Sequence, residues 1–438
     1  MQGTCPISSA SPPLSALGGG DGAGQMQHFV TDDQMNIFRL PVSWQYLVNN
    51  QLGGTLDSTN LGKYDQLMQA CLATGAYCAI DIHNFARFNG AIIGQTSGGP
   101  TNDQFVALWT ELATKYKSNT KVVFGLMNEP HALDIAAWAV TVQLVVTAIR
   151  NAGASTQMML LPGTDFTSAG TFVSSGSGAA LIGVTNPDNT TTGLVLDVHK
   201  YLDVDNSGTH TDCTTNNTDA FATVADFLRQ NSRQALVSET GAGSSESCFT
   251  DFCAQNTFLN QNSDVFLGYI AWAAGSFATS YNLSLTPSKK NGKFVDNALA
   301  SQCVIAPWLG FTPSSSSNTP VSTGVSSPTA SSGNINVIAT STGTTLTTTS
   351  TGASSLTSVS SFATVSSFAT ISSSFATLTS LASISSLANF TSKTSASSTS
   401  AGTTSASSLA KSTNGANPGT ITGRMMIGVG AMLVAGFL

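Results

Sequence analysis

VVFGLMNE, residues 122–129, is an apolar run of strand length that closes on two polar side chains, Asn128 and Glu129. Six other apolar runs of similar length stand at Asn36–Val42, Ala76–His83, Gln157–Pro162, Gly193–His199, Gln234–Glu239 and Val265–Trp272. Segments of helical period separate them, around Asp21–Asp32, Leu61–Thr74, Asn102–Lys117, Asp134–Ala152, Asp219–Asn231 and Glu246–Asn260. Continuous apolar strands alternating with helices predict a parallel sheet covered on both faces. An open doubly wound sheet competes, but no Gly-rich phosphate turn follows an early strand. The strand ends favour a TIM (β/α)8 barrel, an α/β fold in which strand C-termini converge on one rim. Reactive side chains stand there repeatedly: Arg39, His83, Asn128 with Glu129, His199 with Tyr201 just beyond, Glu239 and Trp272. Only seven strands are counted and a helical segment precedes the first, so the missing first strand is expected upstream of Met1.

Composition divides the 438 residues into three parts. All 23 Asp and Glu precede position 312, whereas three of the 16 Lys and Arg (Lys393, Lys411 and Arg424) follow it, which leaves a formal charge of −10 on residues 1–311. That part also carries every Cys, Trp and His and reads as one catalytic domain. Its acidity argues against nucleic acid as a partner, which needs a basic footprint. Residues 312–423 are mostly Ser, Thr, Ala and Gly, with SFAT repeated at Ser361, Ser367 and Ser374. Such a stretch buries too little apolar surface to order itself and reads as a disordered, O-glycosylated stalk. Residues 424–438 end in the apolar MMIGVGAMLVAGFL, shorter than the roughly 20 residues that span a bilayer. With the small Asn414-Gly415-Ala416 and a polar spacer before it, this is the layout of a glycosylphosphatidylinositol signal, with attachment expected at Asn414. Sequons at Asn189, Asn216, Asn282 and Asn389 fit a secretory route. Met1 is followed by no apolar leader and the seven cysteines are odd in number, so the natural N-terminus is expected to lie beyond this sequence.

Two glutamates on different strand ends suit glycoside cleavage. The reaction passes through an oxocarbenium-like transition state and needs one carboxylic acid to protonate the leaving oxygen and one carboxylate across the anomeric carbon. Glu129 and Glu239 meet that need, and retention of configuration predicts carboxyl groups about 5 Å apart. The five histidines lie in separate motifs without ligand spacing, so neither a metal nor another cofactor is expected.

The stretches IFRLPVSWQYLV, DIHNFARFNGAIIGQ, FGLMNEPH, DVHKYLDVDNSGTH, SETGAG and GYIAWAAGSF resemble the fungal endo-β-1,4-glucanases of glycoside hydrolase family 5, over nearly all of residues 20–305. The resemblance implies a TIM barrel and retaining endo-hydrolysis of cellulose or a related β-glucan. It makes Glu129 the acid/base and Glu239 the nucleophile. Asn128 is expected on the sugar 2-hydroxyl, Arg39 and Tyr201 beside Glu239, His83 and His199 among the hydroxyls and carboxylates, and Trp272 beneath a glucose ring. It also implies disulfides Cys71–Cys78, Cys213–Cys248 and Cys253–Cys303, leaving Cys5 unpaired. Phe85, Phe88 and Phe166 stand where family sequences often carry Tyr or Trp, and Ala242 and Ala271 where they carry glycine, which puts subsite preference in doubt but not the chemistry.

Two alternatives stay open: a β-mannanase or β-1,3-glucanase of the same family, or an anchored, non-catalytic wall protein on a barrel scaffold. The expected molecule is a secreted monomer, held at the membrane or wall by its lipid, acting on a polysaccharide.

Overall fold

The structure, a computed structural model, describes residues 21–275 and 280–310. Cys5, Asn389, Asn414, the Ser/Thr-rich stretch and the apolar tail lie outside them.

Seven parallel strands pair in chain order: β1 (Ile37–Val42), β2 (Tyr77–Ile82), β3 (Val122–Gly125), β4 (Met159–Pro162), β5 (Leu194–His199), β6 (Ala235–Thr240) and β7 (Phe266–Ala271). Each begins or ends within a residue or two of its expected place, except β3. Its ladder stops at Gly125 rather than Glu129. The Leu126 and Asn128 amides still reach the Leu160 and Ile82 carbonyls, at 3.3 and 2.9 Å, but Glu129 takes a φ of 42° and turns the chain out of the sheet.

Six helices of 10 to 17 residues pack outside: α1 (Gly22–Thr31), α2 (Ser58–Ala73), α3 (Asn102–Tyr116), α4 (Ile135–Asn151), α5 (Thr218–Gln230) and α6 (Glu246–Gln261). Side chains that accept from the first-turn amides set several starts: Asp21 on Gly24, Asp57 on Asn60, Asp134 on Ala137, and Thr101 in a reciprocal box with Gln104. The Asp57 cap explains why α2 starts three residues before the expected Leu61. Between β4 and β5 the connection carries only the short helix Ser177–Leu181, with Asp165–Thr167 a single 3-10 turn.

The core has two parts. One large cluster fills the space between strands and helices, anchored by Trp44, Trp109 and Trp138. A second takes one side chain from every strand, Ile37, Ala79, Val123, Leu160, Val195, Leu236 and Ile270, and fills the interior of the curled sheet. Side chains alternate along a strand, so two residues further on the same inward row becomes Arg39, Asp81 and Asp197. Two further again are His83 and His199. The apolar plug is thus followed by a polar layer and then by the rim, as in other barrels with this architecture.

Among the described residues β1 and β7 do not pair, although they approach within 8 Å between Cα atoms. Other groups tie this seam. The buried Gln25 side chain of α1 donates to the Gly275 carbonyl (3.0 Å) and accepts from the Gly275 amide (2.9 Å), in the manner of a ladder pair. Trp308 Nε1 donates to the Gln34 carbonyl at 3.1 Å. Disulfides join Cys71–Cys78, Cys213–Cys248 and Cys253–Cys303, the pairing the family resemblance implied. Asn189 and Asn282 are exposed, whereas Asn216 is half-buried and its amide oxygen accepts from Thr218. No helix among the described residues is long and apolar enough to cross a membrane.

Replacing Gln25 by Ala removes both hydrogen bonds to the half-buried Gly275 backbone. The expected loss is roughly 2–4 kcal/mol of unfolding free energy, read as a lower urea midpoint.

Candidate active site

Every rim residue singled out from the sequence meets at the C-terminal ends of the strands. Arg39, on β1, is buried and sits at the centre. Its Nη1 donates to Glu239 Oε2 at 2.6 Å and its Nη2 to Asn128 Oδ1 at 2.5 Å, and Nη2 also lies 3.0 Å from Asp81 Oδ2. Glu239 accepts a further hydrogen bond from the Tyr201 hydroxyl at 2.7 Å. Burial by itself pushes a carboxyl up, but here the Arg39 charge, the two histidines and the Tyr201 bond outweigh it and hold Glu239 at about 2. Glu239 is therefore a carboxylate across the working pH range.

Glu129 is placed differently. Desolvation raises its pKa, and the nearby Glu239 charge raises it further, against a single contact from His199 Nδ1 at 3.0 Å. One oxygen of each glutamate and one nitrogen of His199 lie within 4.8 Å of one another. Two carboxyl groups this close, with pKa values driven in opposite directions, form an acid and a base poised across a gap that suits retaining chemistry.

The sheet's irregularities make this geometry. Between β5 and β6 the register runs Val198 to Val237 and then His199 to Glu239, so Ser238 is skipped. This bulge lets β6 turn two consecutive side chains inward: Ser238 Oγ meets His199 Nε2 at 2.9 Å, and Glu239 reaches Arg39. Tyr201 depends on two glycines. A Cβ on Gly208, whose φ is +70°, would fall 2.6 Å from the Tyr201 ring, and one on Gly241 would meet the Trp272 carbonyl.

His83 Nδ1 faces Asp81 Oδ2 at 2.8 Å and Nε2 faces Asn128 Nδ2 at 3.3 Å. Nδ1–H donates to the Asp81 carboxylate, which leaves Nε2 to accept from the Asn128 amide. The His83 ring stacks on Trp272 at 5.7 Å and 21°, and the Trp272 indole bonds the Tyr281 hydroxyl. Trp272 is half-buried at the rim.

The substituted aromatics separate into two kinds. Phe88 is buried edge-on to Trp44, and Phe85 is buried between His83 and His131. Phe166 is 47% exposed and lies flat on His131, 4.4 Å away at 13°. Only Phe166 keeps a solvent-facing ring. Ala242 and Ala271 are core residues.

Three partners of the site escaped sequence reading: Asp81, Ser238 and Tyr281. Asp81 had a signal, since it lies two residues before His83 on the same inward row. Scatter along the chain was also no barrier to clustering, because among the described residues the fold gathers three His/carboxylate groups, at His28–Asp33–Asp296, Glu129–His199–Glu239 and Asp203–Asp205–His210.

Comparison with known proteins agrees with this geometry. "Endoglucanase EG-II" of Hypocrea jecorina is 61% identical over 307 residues, covering 69% of this chain and 73% of that protein. The crystal structure of Cel5A (EG2) from the same organism superposes with a TM-score of 0.67 at 60% identity, over 69% of this chain and 93% of that one. The structure of XacCel5A in complex with cellopentaose matches with a TM-score of 0.59 at 32% identity, over 64% and 88%. The family model described as cellulase (glycosyl hydrolase family 5) matches residues 6–275, and the chain belongs to that family.

Proposed function

We propose that this glycoside hydrolase is an endo-β-1,4-glucanase that cleaves internal bonds of cellulose or a related β-glucan with retention of configuration. The reading is carried by one observation, the Glu129 and Glu239 carboxyl groups within 4.8 Å with opposed pKa values. The cellulase family and the endoglucanases among its relatives support the glucan class.

In the first step Glu239 attacks the anomeric carbon while Glu129 gives its proton to the departing glycosidic oxygen. Arg39 and Tyr201 hold the nucleophile's two oxygens, so it is oriented before substrate arrives. Asn128, itself fixed by Arg39 and His83, is placed for the 2-hydroxyl, where a contact that tightens in the transition state accelerates the reaction. Once Glu239 is esterified, its charge is gone and one cause of the raised Glu129 pKa goes with it. Glu129, now a carboxylate, takes a proton from the water that releases the sugar. Trp272 and Phe166 offer apolar faces to glucose rings. No step requires a metal.

Glu239→Gln is expected to lower turnover of carboxymethylcellulose by roughly four orders of magnitude with the fold intact; unchanged turnover would rule out Glu239 as nucleophile, and no turnover by the unaltered chain would favour a non-catalytic wall protein. In a substrate panel, carboxymethylcellulose and barley β-glucan should outpace mannan and laminarin, and the reverse order would assign a mannanase or a β-1,3-glucanase.

Activity needs Glu239 ionised and Glu129 protonated. The kcat/KM profile should therefore be a bell, rising as pH climbs past about 2 and falling as pH passes the raised pKa of Glu129. Tyr201→Phe removes a hydrogen bond to the charged form of Glu239, so the acid limb should move to higher pH while the alkaline limb stays.

The chain is further read as a secreted monomer tethered by a lipid at Asn414. Three disulfides and the sequons support secretion, and the small-residue, spacer and apolar-tail order supports the anchor. Native protein should partition into detergent and leave it after phosphatidylinositol-specific phospholipase treatment; recovery free in the medium without lipid would count against the tether.

A further inference from the structure

Outside the active site, the seam between the ends of the sheet holds a second buried group of charges. His28 of α1 lies with Asp32 and Asp33 at the end of that helix, and with Asp296 just after the hairpin formed by Ser288–Lys290 and Lys293–Val295. His28 Nδ1 meets Asp32 Oδ2 at 2.6 Å. On the other side of the ring, Nε2 stands 3.2 Å from both oxygens of Asp296 and 3.7 Å from Asp33 Oδ2. Asp33 is only 7% exposed, and its Oδ2, aimed into this group, accepts no hydrogen bond. Among the described residues no Lys or Arg pairs with any of the three aspartates. Three carboxylates thus share one imidazole, and a buried carboxylate oxygen has no donor.

A cation resolves both problems. A carboxylate on Nδ1 fixes the tautomer that leaves an Nε2 lone pair, the arrangement that commonly orients a histidine ligand. With metal–ligand bonds of about 2.1 Å, separations of 3.2 and 3.7 Å between ligand atoms correspond to angles of about 100° and 125° at the ion. The Asp203–Asp205–His210 group offers a contrast. His210 there is half-exposed, and Asp203 already accepts from the Gly208, Thr209 and His210 amides.

We propose that His28 Nε2, Asp33 and Asp296 bind a first-row divalent cation of the Zn2+ or Mn2+ class, which clips α1 to the C-terminal segment beside the β1–β7 seam. One nitrogen with carboxylate oxygens suits these ions better than Ca2+, which prefers all-oxygen shells. The ion's role is structural, since its ligands are separate from the glutamate pair.

The test uses the full-length chain, stripped with EDTA, dialysed, and equilibrated separately with ZnCl2, MnCl2 or CaCl2. Metal analysis after gel filtration should find one equivalent of Zn2+ or Mn2+ per chain. At about a hundredfold excess over the dissociation constant, the thermal midpoint should rise by roughly 5 °C. Asp33→Asn and Asp296→Asn should each abolish bound metal and the thermal shift, while unchanged carboxymethylcellulose turnover shows that both variants fold. Absence of bound Zn2+ and Mn2+ from the unaltered chain, or equal binding and equal thermal shift in both variants, overturns the proposal.

Discussion

The Arg39 guanidinium is the constraint on which the rest of the rim depends. A buried cation is costly to desolvate, and it is tolerated here because Glu239, Asp81 and Asn128 surround it with acceptors. That one group aligns the nucleophile, fixes the amide beside the acid/base and places a negative partner under His83. Losing any of its acceptors leaves a buried charge underpaired, so fold and catalysis cannot be separated at this position. The apolar layer beneath it supplies the low-dielectric floor that makes these interactions strong.

Much of this was readable from residue order because barrel chemistry is periodic. Apolar runs marked the strands, and their polar ends marked the rim. The eight rim residues named from the sequence all meet in the structure, because each lies in a strand or within a few residues of its C-terminal end, on the side where the strands converge. What escaped had physical reasons. Asp81 looked like an ordinary polar break in an apolar run, although its parity with His83 gave it away. Ser238 is inward by simple alternation from Leu236, but a lone serine in an apolar run gives no sign that it will meet a histidine of the next strand, and Glu239 joins it only through a bulge that leaves no mark in the sequence. Phe85 and Phe88 sort by sequence with the substrate aromatics, yet a phenyl ring without a polar tip packs readily into the core, as Phe88 does against Trp44.

Long-range groups were the least legible. His28 and Asp296 are 268 residues apart, and Gln25 and Gly275 are 250 apart. No local spacing announces such pairs. They become neighbours because a curled sheet brings its first and last strands together, and whatever lies just outside those strands must then manage the junction. Among the described residues the junction is made by side chains and backbone groups of α1 and the C-terminal segment.

The register slip at Val198–His199 has a consequence for how this enzyme varies. Leu236 points into the barrel, and strict alternation would send Glu239, three residues later, toward the helices. The skipped residue cancels that odd count. Residue number along β6 is thus a functional quantity in its own right: a one-residue insertion or deletion between Leu236 and Glu239 would exchange the nucleophile for a neighbour while altering no catalytic side chain. Homologous chains should accordingly accept changes of side chain along this strand far more readily than changes of length.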